Sequence, residues 1–273
     1  MQYGTRGYSW ATVHEKAANK SRAMDGSQAA RDLRGGKPGP PRSFAVDLLE
    51  HDPELAEAIA LGGAGAPRVF ALPVEPGPWK PDIRVSGFGL LVLAGFVIRR
   101  VDLAGRHSVE LLGPGDLLRP WEVGDEHYAM VPSCPSWRVL ESTHVAVLDG
   151  RFAEWASGQS QLIDRLLSRL LRRSRTLALR LALVQLPRLS ARLHFLLWHL
   201  ADRFGQVHRN GVLLPIPLSH AMLADLVSAQ RPPVSRAMKE LERHGLLSPA
   251  SHAGWYLHGR PPAAGGAGVR PQR

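Results

Sequence analysis

The sequence predicts an α+β fold: a small barrel or jelly-roll of short strands, then one long amphipathic helix, then a compact C-terminal helical domain. Three observations carry that expectation. Residues 68–149 alternate short β-rich runs with joints made of Gly and Pro. Residues 161–186 contain neither Gly nor Pro, and Pro187 follows. Residues 218–247 place two helical patterns on either side of a tight polar turn.

The composition fits a folded chain. It has 273 residues, 44% hydrophobic and 7% aromatic, with a single cysteine, Cys134. One cysteine excludes an internal disulfide framework, an all-cysteine zinc site and a four-thiolate iron–sulfur cluster. The longest apolar run, Gly89 to Ile98, stops at Arg99-Arg100 and falls short of the roughly 18 residues a membrane span needs. The N-terminus lacks the apolar segment of a secretory signal, so a cytoplasmic protein without membrane partners is expected. Net charge is +10, unevenly spread: +5 over residues 1–43, −7 over 44–160 and +12 over 161–273. A basic back half suits a polyanion, although ordinary surface arginine gives the same count.

Residues 1–43 lack periodicity and end in Gly35-Gly36-Lys37-Pro38-Gly39-Pro40-Pro41, which predicts a disordered extension; a start at Met24 would remove most of it. From Phe44 to Leu61 the apolar spacing fits two short helices separated at Asp52-Pro53, with Asp as cap and Pro in the first turn. The Gly-Gly-Ala-Gly run after Leu61 follows a helix instead of a strand, so it is not read as a phosphate loop. Strands are expected at 68–72, 89–93, 96–103, 108–112, 137–140 and 144–148, with Gly-Pro-Trp, Ala-Gly-Arg-His, Gly-Pro-Gly-Asp and Pro-Ser-Cys-Pro as joints. On the long helix, Ile163, Leu166, Leu167, Leu170, Leu171, Leu177, Leu181 and Val184 share one face. Arg165, Arg169, Arg172, Arg173 and Arg180 share the other. About 39 Å of helix is too long for one small domain to cover. It either packs on its own barrel or pairs with its copy in a second subunit, and the length of the stripe favours the pair. A further helix runs from Ser190 to Phe204, and 206–217 reads as extended.

Ser219 can cap the next helix, which carries Leu223, Leu226 and Val227, with Ala224 small enough for a second helix to approach. Ser228-Ala229-Gln230 makes the turn. The second helix runs from about Arg231 to His244, and Pro232 and Pro233 fit only its first turn. Val234, Ala237, Met238 and Leu241 form its buried side, while Arg231, Ser235, Arg236, Lys239 and Arg243 project from the other. Arginine donates bidentately to guanine O6 and N7, serine adapts to base or phosphate, and lysine neutralises phosphate. After Gly245, Leu246-Leu247 and Gly254 to Leu257 suggest a β-hairpin wing. The alternative is a helical hairpin whose basic face is only solvated; the wing and turn together favour double-stranded DNA.

On these residues the chain resembles the Crp/Fnr family of bacterial transcription regulators, over roughly residues 45–258. The strongest stretch is Leu218 to Leu247, with support from Leu-Leu-Trp-His-Leu-Ala-Asp-Arg-Phe-Gly at 196–205 and Gly113-Pro114-Gly115-Asp116. The resemblance implies a cyclic-nucleotide-binding-like β-roll sensor at 44–157 and a dimerisation helix at 158–187. It further implies a winged helix-turn-helix at 188–260, with 261–273 as a disordered tail. It implies a homodimer on a palindrome, with Arg231, Ser235 and Arg236 at base-reading positions. RNA polymerase is a candidate partner, and activation and repression leave no motif that separates them. Two departures affect DNA reading. The family often has Gly where Ser228 stands, and Pro232 replaces the acidic residue that often follows the first recognition arginine, so family operators do not transfer.

The cyclic-phosphate cassette is degenerate. After Gly115-Asp116 no Gly-Glu pair follows, and no Arg-Ser or Arg-Thr pair occurs before Trp137. Cyclic AMP binding is therefore disfavoured, no cofactor is expected, and the effector is unidentified. Arg119 beside Trp121 is read as a surface arginine on an indole, with an anion contact as the other use. His107, His127 and His144 are isolated candidates for haem ligation and read more simply as polar surface. Two rivals stay open: a β-roll acting through protein contacts, and a cupin-like metal enzyme. For the enzyme, His107 and Glu110 are too sparse a ligand set, and His-Glu-x-x-His and Gly-x-Ser-x-Gly are both missing. A non-enzyme is expected.

Overall fold

Antiparallel pairing sorts the first nine strands into two sheets that face each other. The computed structural model describes residues 44–45, 52–61, 65–81, 85–121, 134–251 and 253–262. The chain divides into Met1–Arg42 and Ser43–Arg273, and every described residue belongs to the second unit. The expected disordered extension lies outside the described residues, as do His127 and residues 263–273 of the expected tail.

The first sheet contains β1 (Phe44–Ala45), β2 (Phe70–Val74), β4 (Gly89–Ala94), β7 (Leu117–Leu118) and β9 (Thr143–Leu148), in the order β1-β2-β9-β4-β7. The second contains β3 (Gly77–Trp79), β5 (Val97–Leu103), β6 (Arg106–Leu112) and β8 (Cys134–Val139), in the order β3-β8-β5-β6. Alternation along a strand lets one sheet serve two cores. Leu90, Val92, Leu112, Leu118, Val139 and Val145 meet between the sheets. Leu91, Leu93, Leu117 and Leu148, on the opposite face of the first sheet, pack on helices α1 (Pro53–Leu61), α2 (Gly150–Ala156) and the start of α3 (Ser160–Leu183). β4 is thus buried on both faces, which explains its unbroken apolar run.

Several sequence expectations are corrected here. Gly77-Pro78-Trp79 is a strand, not a joint: it pairs with Val139, Arg138 and Trp137 at the sheet edge, where Pro78 owes no ladder donor. Arg106 and His107 belong to β6, because the β5–β6 loop contains only Ala104 and Gly105, both with positive φ (49° and 72°). Phe44 lies in a strand pair with Ala71 instead of a helix. The rest of that expected first helix falls outside the described residues. The second forms as expected: Asp52 accepts from the Leu55 N–H at 3.1 Å, and Pro53 starts α1. Helix α2 was not anticipated; its cap is Asp149, which accepts from the Phe152 N–H at 3.0 Å.

Helix α3 stops at Leu183, short of the expected 186, because Pro187 pushes its predecessor out of the helical region and the last turn loosens. Its two faces behave unexpectedly. Leu162 and Leu166 enter the β-roll core, so Leu166 leaves the stripe to which its spacing assigned it. Leu167, Leu170, Leu171, Leu177 and Leu181 stay 40–70% exposed. Three of the five arginines dock on the rest of the chain, Arg169, Arg173 and Arg180, while Arg165 and Arg172 stay exposed. Arg169 Nη2 lies 2.6 Å from Asp52 Oδ1 and Nη1 donates to the Gly115 carbonyl. Arg173 grips Glu110 through two nitrogens at 2.6 and 2.7 Å. Arg180 donates to the Leu226 carbonyl, and burial lowers its pKa from the usual guanidinium value.

Candidate nucleic-acid interface

The C-terminal domain is built on helix α4 (Leu189–Phe204), followed by the hairpin β10 (Gln206–His208) and β11 (Gly211–Leu214). The expected extended segment is therefore partly a hairpin. Helices α5 (His220–Leu226) and α6 (Arg231–Arg243) come next, then β12 (Leu247–Pro249) and β13 (Trp255–Leu257). The strands form one wing sheet in the order β10-β11-β13-β12. Leu193, Leu196 and Leu197 of α4 pack with Leu223, Val234, Met238 and Leu241, and the same core continues into Ile98, Val109 and Leu111 of the second β-sheet and Phe96 just before it. The helical domain and the β-roll therefore share apolar contacts. Polar ties reinforce them: Arg203 lies 2.7 Å from Asp116, and His107 Nε2 lies 2.9 Å from Asp225 Oδ1 on α5.

Local rules shape the helix-turn-helix. The Ser219 hydroxyl accepts from the Met222 N–H at 3.2 Å and starts α5. At the other end Ser228 has φ 53°, the Ala229 N–H returns to the Ala224 carbonyl at 2.9 Å, and the Ser228 N–H reaches Asp225. The strained turn expected of a serine in a glycine position is thus present. We predict that Ser228→Gly raises stability by up to about 1 kcal/mol, less the extra entropy of the unfolded glycine. The urea midpoint should rise at constant slope; a fall would mean that the serine side chain contributes more than its backbone conformation costs.

Helix α6 keeps the two sides read from its spacing. Val234, Ala237, Met238 and Leu241 are at most 6% exposed. Arg231, Arg236, Lys239 and Arg243 are exposed. Pro232 and Pro233 sit in the first turn, where N–H groups have no partner within the helix. Ser235 differs from its neighbours: it is half-buried, and its Oγ lies 2.9 Å from Nδ1 of His220. Ser219 is exposed at the start of α5, already engaged as a cap. An open groove of about 460 Å³ runs between α6 and the start of α4, lined by Arg188, Ser190, Arg236, Glu240 and Arg243 among others. Arg188 is a basic residue at this surface that sequence reading missed. Its signal was present in Pro187-Arg188, where a cation precedes a new helix whose free N–H groups also favour an anion.

The charge asymmetry acquires a second cause. Part of the basic excess after residue 160 answers the acidic excess before it: Arg169 to Asp52, Arg173 to Glu110 and Arg203 to Asp116. The exposed remainder includes Arg231, Arg236, Lys239 and Arg243 of α6 together with Arg188.

In the β-roll, Asp116 accepts from the Gly113 N–H at 2.8 Å as well as pairing with Arg203. Arg119 donates to the Phe88 and Gly87 carbonyls, and Trp121 packs against the core between the sheets. Among the described residues, no three metal-ligating side chains come together, and no helix is long and apolar enough to cross a membrane.

Residues 191–257 match the family described as the Crp-like helix-turn-helix domain. The fold resembles FixK2 from Bradyrhizobium japonicum, at 18% identity and TM-score 0.53, covering 70% of this chain and 93% of that one. It also resembles a cyclic nucleotide-binding domain containing protein from Listeria monocytogenes EGD-e, at 18% identity and TM-score 0.54, covering 69% and 88% respectively. For a CooA mutant from Carboxydothermus hydrogenoformans the figures are 16% identity, TM-score 0.52, and 68% and 82% coverage. No curated protein matches the sequence.

Proposed function

We propose that this chain, a Crp/Fnr-type protein carrying a Crp-like helix-turn-helix domain, is a sequence-specific transcription regulator that binds an inverted repeat as a homodimer without cyclic AMP. The observation that carries the reading is α6: its apolar side is locked into the domain while Arg231, Arg236, Lys239 and Arg243 face outward. Such a helix offers bidentate donors to guanine from Arg and point charges to phosphate from Lys. Ser219 and Arg243 serve at the phosphate backbone, together with Arg188.

The homodimer reading is supported by the exposed leucines of α3. Ile163, Leu167, Leu170, Ser174, Leu177, Leu181 and Val184 alternate in steps of four and three, the spacing of a two-helix seam. Two recognition helices would then enter successive major grooves roughly 34 Å apart. Independence from cyclic AMP is supported by Arg119, whose guanidinium is committed to backbone carbonyls, and by Asp116, which is committed to Arg203. RNA polymerase is the partner through which a bound regulator would act, and the cytoplasm is where it would meet DNA.

The test is selection from random duplex DNA by the purified protein, at moderate salt, with and without cyclic AMP. The expected product is one inverted repeat with half-site centres about ten base pairs apart, unaltered by the nucleotide. Binding should fall steeply as salt rises, since phosphate contacts release counterions. A folded protein that enriches no motif would overturn the reading in favour of protein contacts. Within that motif, Arg236→Ala is expected to cost about 1–3 kcal/mol of specific affinity and to relax one position per half-site. An unchanged motif would remove Arg236 from the base-reading set.

A further inference from the structure

We infer that His220 is a specificity-determining residue of the DNA interface, acting through Ser235 by fixing the hydrogen-bonding sense of its hydroxyl. The inference rests on the DNA-binding reading above and assigns a role to a residue on the first helix, not the recognition helix. His220 opens α5, Ser235 lies in the second turn of α6, and His220 Nδ1 and Ser235 Oγ are 2.9 Å apart.

Ser235 occupies the projecting row of α6, four residues after Arg231 and four before Lys239, so it belongs to the surface offered to the groove. A free serine hydroxyl has one donor and two acceptor lone pairs and rotates to suit its partner. Such a group accepts from the amino groups of cytosine or adenine and donates to the carbonyls of guanine or thymine alike, so it discriminates weakly. Tethered to an imidazole nitrogen, the hydroxyl loses that freedom. When Nδ1 accepts, the serine proton is spent on the ring, and Oγ presents only lone pairs to DNA; a base with an amino group is then selected. When Nδ1 carries the proton, Oγ accepts from the ring and its own O–H points outward; a guanine, thymine or phosphate oxygen is then selected. The first arrangement removes the donor sense altogether; the second leaves one lone pair beside the O–H but sets the direction of that O–H, and the base preferred at that position reports which arrangement holds.

The test is a double-mutant cycle read by selection from random duplex DNA and by competition on single-base variants of the wild-type site. Wild type, His220→Ala, Ser235→Ala and the double variant are compared. His220→Ala is expected to flatten the preference at one base pair per half-site by about fivefold, the discrimination one hydrogen bond provides, and to leave the other positions intact. Ser235→Ala should flatten the same position, and the double variant should go no further. His220→Asn, whose amide can occupy the Nδ1 position, should restore the preference; His220→Gln, which mimics Nε2, should not.

The inference fails if His220→Ala leaves the motif unchanged. It fails equally if the effect persists at full size in the Ser235→Ala background, or if affinity drops uniformly for all sequences, as for a phosphate contact. A wild-type protein that selects no motif overturns the DNA reading itself, and this inference with it. A wild-type motif that His220→Ala does not alter overturns only the role given to His220.

Discussion

Replacing Leu170 and Leu177 with glutamate is expected to give a folded monomer that no longer retains the inverted repeat. Both side chains are substantially exposed within one chain, 49% and 40%, so a charge there costs the protomer little. In a paired α3 the same positions lie at the centre of the seam, and the two-fold axis would bring four glutamates together. Each would lose its hydration without a cationic partner, at several kcal/mol per buried charge. The apolar surface that drives pairing would shrink as well, because a fully buried leucine contributes about 1.5–3 kcal/mol.

A monomer keeps one recognition helix and loses the effective concentration that the second half-site provides, so affinity for the full site should fall at least about 100-fold. Sedimentation velocity reads the mass, circular dichroism the fold, and gel shift the binding. A variant that stays dimeric would move the interface away from this stripe. A monomer with unchanged affinity would detach DNA binding from dimerisation.

The helix-turn-helix was legible because its rules are local. Val234, Ala237, Met238 and Leu241 repeat with the helical period, Ser219 can cap at short range, and two prolines fit only a first turn. None of that depends on distant partners. The β-roll was legible as a set of strands but not in detail. Gly77-Pro78-Trp79 reads as a turn from its composition, and only the edge position beside β8 makes a strand of it. Helix α2 is seven residues long and begins with Gly150, too short for periodicity to declare itself.

The arginines of α3 show the deepest limit. Sequence set them on a face opposite the leucines, and nothing in their spacing said that Arg169, Arg173 and Arg180 would pack together with Leu166 while Arg165 and Arg172 stay exposed. Their partners, Asp52 and Glu110, are 117 and 63 positions away. Likewise His220 was unremarkable until the fold brought it to Ser235, fifteen residues on. Pairings across such distances are set by tertiary packing, and no local periodicity encodes them.

Arg169→Ala should be among the most destabilising single substitutions in the chain. The guanidinium is 8% exposed and its partner Asp52 9%, so the pair has left water and each charge depends on the other. Arg169 also donates to the Gly115 carbonyl, while Asp52 caps α1 through the Leu55 N–H. Gly115 has φ 87°, and a Cβ there would stand 2.8 Å from Arg169 Nη1, so the turn is shaped to admit this side chain. Alanine removes the cation and leaves a buried carboxylate with a neutral donor at best. Breaking one side of a buried pair costs about 3–5 kcal/mol. For a domain of this size, each kcal/mol lowers the melting temperature by roughly 2–4 °C. Replacing the pair together by Asp52→Ser and Arg169→Met keeps a capping hydroxyl, fills the space with an apolar chain and strands no charge. That double variant should recover most of the loss, because apolar replacements of buried pairs are often neutral. Denaturant titration of the three proteins decides the matter. A cost below about 1 kcal/mol for Arg169→Ala would place the pair in the class of weak surface bridges. The consequence extends beyond α3, since Asp116, next to Gly115, holds Arg203 of the helical domain. Loosening the turn at Gly115 should therefore weaken the attachment of the DNA-reading domain to the β-roll, which protease sensitivity near residues 184–188 would reveal.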